Sequence, residues 1–150
     1  MYITGKYILG GLGDLTEVKN IRSTALNESE DEDCEAIFAL AFEEGEDFKK
    51  PVSTGRLLFL GEEFRIDQVV TLDEYRNKGY GDFVVRMLID KAFTMGAKEI
   101  FVDSDLSLTE FFGKIGFRKV GDAFILNGRE KIRMVVEPHT CTRLCSSIKQ

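Results

Sequence analysis

Two hydrophobic periods share this chain. Short runs that are apolar on both faces, or that alternate apolar with polar residues, predict strands at 1–9 (MYITGKYIL), 35–43 (EAIFALAFE), 55–60 (GRLLFL), 64–72 (FRIDQVVTL), 98–103 (KEIFVD), 117–126 (FRKVGDAFIL) and 131–137 (KIRMVVE). The run 35–43 is apolar on both faces between its terminal glutamates, as a strand buried in the middle of a sheet would be. Elsewhere the period lengthens to that of a helix. Leu15, Val18, Arg22, Ala25 and Leu26 share one helical face, with Asp14 and Glu17 spaced as a capping box. Tyr80, Phe83, Val84, Met87, Leu88, Ala92 and Met95 line a second helix that Gly96 can end. The third, within LSLTEFFGKIGF, is predicted to start with Ser107 as N-cap, Glu110 closing the box and Leu106 stapled onto Phe111; Gly116 ends it. With turns at GEE and NGRE, the order is β, α, β, β, β, α, β, α, β, β, a mixed α/β arrangement built on one sheet.

Composition narrows the classes. The 150 residues, 43% hydrophobic and 31% charged, suit one domain with a full-sized core, and no repeat or long linker divides them. We assign residues 1–138 to that domain and expect 139–150, which follow neither period, to form a flexible tail. A net charge of -6 argues against nucleic-acid backbones as partners. No run approaches the roughly 18 apolar residues of a membrane span, and the start lacks a signal-peptide pattern, so a cytoplasmic location without membrane association is expected. The acidic segment NESEDEDCEA from Asn27 is expected to be a solvated loop. Cys34 lies among its carboxylates, a poor setting for a thiolate nucleophile. His139, Cys141 and Cys145 do not have a zinc-site spacing, and no metal is expected.

The candidate chemistry sits at RNKGYG, residues 76–81, where strand 64–72 hands over to the long helix. Open amides at a helix N-terminus bind anions, and glycines let a phosphate approach the backbone. The stretch is not a Walker loop, which needs G-x-x-x-x-G-K-[ST]. GGLGDLT from Gly10 comes near the dinucleotide fingerprint but has Thr16 at the third glycine, and reads as a turn.

RNKGYG resembles the R/Q-x-x-G-x-G/A signature of the GNAT superfamily of N-acetyltransferases, and FFGKIGF, starting 30 residues after Gly81, resembles that family's second hallmark. The resemblance runs from the first strand to about Glu137 and is firmest from Phe64 to Gly121. It implies a central mixed, mostly antiparallel sheet flanked by helices, and acetyl-CoA as the cofactor. By position, Arg76, Asn77, Lys78, Gly79, Tyr80, Gly81 and Asp82 would form the pyrophosphate loop. Val69, Val70 and Thr71 would pair with the pantetheine arm and offer an amide to the thioester carbonyl. The resemblance further implies direct acetyl transfer to a primary amine of a small molecule or peptide in a ternary complex. Asp103 and Asp67 are the candidates for the base. The position of the family's usual tyrosine acid is Phe112, and the place of a histidine found in part of the family is Lys131, two departures that keep a second reading open: an acyl-CoA-binding sensor with weakened catalysis. Net charge favours a cationic acceptor. An edge strand in the last hairpin could pair with a second chain to form a homodimer.

Overall fold

The computed structural model describes residues 1–25 and 31–138. The strands are β1 (Tyr2–Leu9), β2 (Ile37–Glu44), β3 (Lys49–Leu60), β4 (Glu63–Thr71), β5 (Ile100–Asp105), β6 (Arg118–Leu126) and β7 (Arg129–Val136); the helices are α1 (Thr16–Arg22), α2 (Tyr80–Thr94) and α3 (Thr109–Ile115). The strands form one sheet in the order β1-β2-β3-β4-β5-β7-β6. Among the described strands only β4 and β5 run parallel; the other neighbours are antiparallel, as the resemblance implies.

Alternation along the strands makes two cores. On one face Ala39, Leu57, Ile66, Ile100, Val102 and Met134 pack beneath α2 and α3. On the other, Phe38, Leu40, Phe42, Leu58 and Val70 pack beneath Val18 and Ile21 of α1. Two strand glycines let α2 sit close. A Cβ on Gly5 would lie 2.6 Å from Met87 Sδ, and one on Gly55 would lie 2.8 Å from Val84 Cγ1. Gly96, at φ 98, ends α2 as expected, and the last hairpin turns through Asn127 (φ 53) and Gly128 (φ 77), the pair of positive φ values that a type I′ turn requires.

Four local expectations are corrected. The box between Asp14 and Glu17 does not form: α1 begins at Thr16, whose amide and hydroxyl both donate to Asp14 Oδ1. Ser107 caps nothing, and Leu106 stays exposed rather than stapled. The reason is that β5 runs to Asp105, paired with β7 to the end, so the chain leaves through a 3-10 turn at Leu106–Leu108 before α3 starts at Thr109. β3 starts at Lys49, well before Gly55, because Pro51 and the polar Ser53 and Thr54 hide a strand that pairs with both neighbours. Finally, the acidic segment is not all solvated: Asp33 is buried between two arginines. Leu26 and the calls on residues 27–30 and 139–150 lie outside the described residues.

That buried cluster ties α1 to the centre of the sheet. Arg22 donates to both oxygens of Asp33, at 2.9 and 2.6 Å, and to Gln68 Oε1 at 2.9 Å. Arg56, only 3% exposed, donates to Asp33 at 3.0 Å and to both oxygens of Asp67 at 2.8 and 2.9 Å. Burial alone would raise the Asp33 carboxyl, but the hydrogen bonds and charges of Arg22 and Arg56 outweigh it and hold the group below its usual range. A depressed folded-state value means that the stabilisation is fully present above the unfolded carboxyl's value of about 4 and is lost as pH falls through the folded value. The melting temperature should therefore be level from neutrality to about pH 5 and fall below about pH 4. A level profile down to about pH 3 would mean that the cluster adds nothing.

Candidate active site

The sheet is split where its only parallel pair meets. β4 and β5 pair at Phe64↔Ile100 and Arg65↔Phe101 and nowhere beyond, while β5 stays paired with β7 up to Asp105. Among the described residues, the β4 edge from Ile66 to Thr71 therefore has no strand on its β5 side. A bulge lies in this free stretch. The β3–β4 register shifts between Thr54 and Arg56, and Gln68 takes φ 49. The extra residue sends Asp67 and Gln68 to the α1 face in succession, where Arg56 and Arg22 hold them. Val69 then turns towards the α2 core, and Val70 packs on the α1 core. The Thr71 hydroxyl hydrogen-bonds Ser53 Oγ at 2.8 Å.

The head of the gap is closed by the segment leading into α2. After a 3-10 turn at Asp73–Tyr75, Asn77 (φ 63) and Gly79 (φ 89) take left-handed conformations and aim the chain into the helix at Tyr80. No side chain caps that end, so the first-turn amides of α2 are open to an anion. The cations predicted here are exposed: Arg76 pairs with Asp73 at 3.2 Å, and Lys78 Nζ lies 5.4 Å above the Tyr75 ring. Asp82 turns its carboxylate to Arg86 at 2.7 Å, leaving only its amide for a ligand. Tyr80 is buried and donates to Glu43 Oε2 at 2.8 Å; burial, with Glu43 adding to it, pushes its hydroxyl up to about 12. That group anchors the helix and is no base.

Two of the residues predicted to bind cofactor, Thr71 and Gly81, approach each other. A Cβ on Gly81 would sit 3.4 Å from Thr71 Oγ1 and 3.5 Å from Phe111 Cζ, so the first turn of α2, the end of β4 and α3 meet at one point. Phe111 was not predicted as a site residue, although it opens the second hallmark. The candidates for chemistry fare differently. Phe112 is 4% exposed in the core, edge-on to Phe111 and Phe117 at 5.0 and 5.5 Å between ring centres. Asp67 and Asp103 lie on the sheet face opposite α2, one on each side of the gap. Both oxygens of Asp103 accept from Arg133 at 2.9 and 3.2 Å, as those of Asp67 do from Arg56.

No group of three or more His, Cys, Asp or Glu among the described residues is placed to hold a metal, and no helix among them is long and apolar enough to cross a membrane. Two surface concavities lie away from the gap, one beside β1 at Lys6, Leu12 and Asp14 and one between the β3–β4 turn and the end of α2. Neither is lined by the uncapped N-terminus of a helix, as the head of β4 is, so the gap is the candidate site.

The acetyltransferase (GNAT) family profile matches residues 13–117. An uncharacterized acetyltransferase in the arcA 3′ region of Streptococcus pyogenes is 32% identical over 85 residues, 55% of this chain and 57% of that protein. The chain thus spans little more than half the length of the curated relatives it matches. Among solved structures, an IAA acetyltransferase from Bacillus cereus ATCC 14579 has a TM-score of 0.72 at 17% identity, with 91% of this chain and 99% of that one covered. A GNAT family acetyltransferase from Elizabethkingia anophelis with acetyl-CoA bound has a TM-score of 0.68 at 18% identity, with 90% and 97% covered. At these identities the two structures speak to the fold alone.

Proposed function

The chain belongs to the acetyltransferase (GNAT) family, and from that premise we propose that it moves an acetyl group from acetyl-CoA to a primary amine by direct attack in a ternary complex. One observation carries the reading: the β4 edge is free of β5 where the uncapped N-terminus of α2 closes the gap. The residues there suit the cofactor. Gly79 and Gly81 keep the backbone of residues 77–82 accessible to a pyrophosphate, and Arg76 and Lys78 add positive charge. Acetyl-CoA, when bound, supplies the activated acetyl group. Val69, Val70 and Thr71 offer backbone pairing to its pantetheine arm, and an amide among them serves as the oxyanion donor. The amine enters neutral, and the candidates for taking its proton are Asp103 and Asp67, each paired with an arginine, and water.

Phe112 favours a second reading, that of an acyl-CoA-binding module that senses rather than transfers. By its position in the second hallmark it replaces the tyrosine whose hydroxyl would protonate the departing thiolate, help worth about 10²- to 10⁴-fold in rate. Under the transferase reading, Phe112→Tyr should raise kcat by about 10-fold or more while leaving KM for acetyl-CoA unchanged. No gain in a folded variant would leave water as the acid. The test of the main reading is calorimetric titration with acetyl-CoA, followed by thiol release on adding an amine panel. Binding with amine-dependent release supports transfer, binding without release supports the sensor, and no binding rejects both.

A further inference from the structure

The face from which an amine must approach is not acidic, although the chain as a whole is. This step rests on the transferase reading. With α2 and α3 on one face of the sheet and the anion cradle at the head of α2, the opposite, α1 face is left for the acceptor. There the far wall of the gap is built by β5 and β7. Arg129, Lys131 and Arg133 alternate along β7 and point to that face, because the residues between them, Ile132 and Met134, pack in the α2 core.

Their counter-charges are Asp103 and Asp105. Arg133 pairs with Asp103, while Arg129 Nη2 at 2.8 Å and Lys131 Nζ at 3.0 Å share Asp105. Arg129 and Lys131 thus share one carboxylate, while Arg133 faces two, Asp103 as an ion pair and Glu63 at longer range. The Lys131 contact is an ion pair without hydrogen-bond geometry, since Asp105 Oδ1 accepts no hydrogen bond. The β6 residues opposite these cations, Val120, Phe124 and Leu126, bring no charge. Across the gap Asp67 is already claimed by Arg56 and by Arg65 at 3.3 Å. The two cations that share Asp105 are also reachable: Arg129, with Nη2 on Asp105, is 49% exposed, and Lys131 is 22% exposed.

We infer that the acceptor is a small amine that also carries a carboxylate, docked on Arg129 and Lys131 at the turn end of the last hairpin. A guanidinium fork matches a carboxylate, and a half-exposed one keeps its donors available. The same charges disfavour the polyamine acceptors that net charge alone would suggest.

Thiol release from acetyl-CoA measures this directly with matched pairs: amino acids of varied chain length, their carboxamides, and diamines. The expected result is a kcat/KM for the carboxylates about 10-fold or more above their carboxamides, reflecting one charge-assisted contact. Arg129→Glu should raise KM for the carboxylates by about 10- to 100-fold and erase the preference, with KM for acetyl-CoA unchanged. Arg129→Gln, which adds no repulsion, should show the same trend more weakly and serves if the charge reversal does not fold. Carboxamides or diamines used as well as carboxylates, or a preference that survives both substitutions, would overturn the inference and leave the transferase standing. No release with any amine would instead overturn the transferase reading, and this inference with it.

Discussion

Gly81→Glu should fold as the parent does and lose acetyl-CoA affinity by about 100-fold or more, because it puts a fixed negative charge into an anion cradle at a helix N-terminus. The site tolerates the substitution sterically. The nearest atoms to a new Cβ are Thr71 Oγ1 at 3.4 Å and Phe111 Cζ at 3.5 Å, ordinary contacts, and Gly81 has no left-handed φ that only glycine accepts. Gly81→Ala is the control. It should keep the fold, gain up to about 1 kcal/mol from better helix propensity, and retain most of the binding. Circular dichroism and calorimetry on the two variants separate charge from bulk. A folded Gly81→Glu protein with parental affinity would sink the cradle assignment.

Arg56→Leu is expected to be the most destabilising single change, at about 3–5 kcal/mol, since it removes the central partner of a buried ion cluster. Asp33 would keep Arg22 and Asp67 would keep Arg65, but each would lose its contact with a guanidinium that is 3% exposed. For a chain of this size the melting temperature should drop by about 10 °C or more. The effect should reach the site as well, because Arg56 and Arg22 hold the two residues of the β4 bulge that aims Val69, Val70 and Thr71. Acetyl-CoA affinity measured below the new melting temperature should therefore fall, whereas Arg56→Lys, which keeps the charge without the fork, should lie between. Parental stability in Arg56→Leu would mean that the cluster is ornamental.

Much of this was legible from period alone. The order of ten elements follows from where the apolar spacing changes, and Gly96 and the Asn127–Gly128 turn stop elements where their φ values require. The candidate cradle could be picked out because its residues are consecutive and sit at an element boundary. What stayed hidden is non-local. Arg22, Asp33, Arg56 and Asp67 are linked over separations of 11, 23 and 11 residues, and no local pattern announces such pairs. A hint existed in Arg22, a cation on the apolar stripe of its helix that needed a buried counter-ion. The sharing of one carboxylate, Asp105, by Arg129 and Lys131 was equally invisible, because it depends on which β7 residues share a face and on which β6 residues stand opposite. Total charge averages over such local reversals.

The close seating of α2 bears on how a ligand enters. At Gly5 and Gly55 the helix presses onto two separate strands so tightly that a methyl group on either would collide with its side chains. A helix pinned at two points cannot tilt to admit a ligand, so its N-terminus is preorganised in the geometry that binding needs. Ordering entropy at that end has been met during folding, and encounter need not wait for a rearrangement of the loop's foundation. Association should then be a single kinetic phase whose rate scales with ligand concentration, with discrimination among acyl-CoA analogues expressed in how fast they leave.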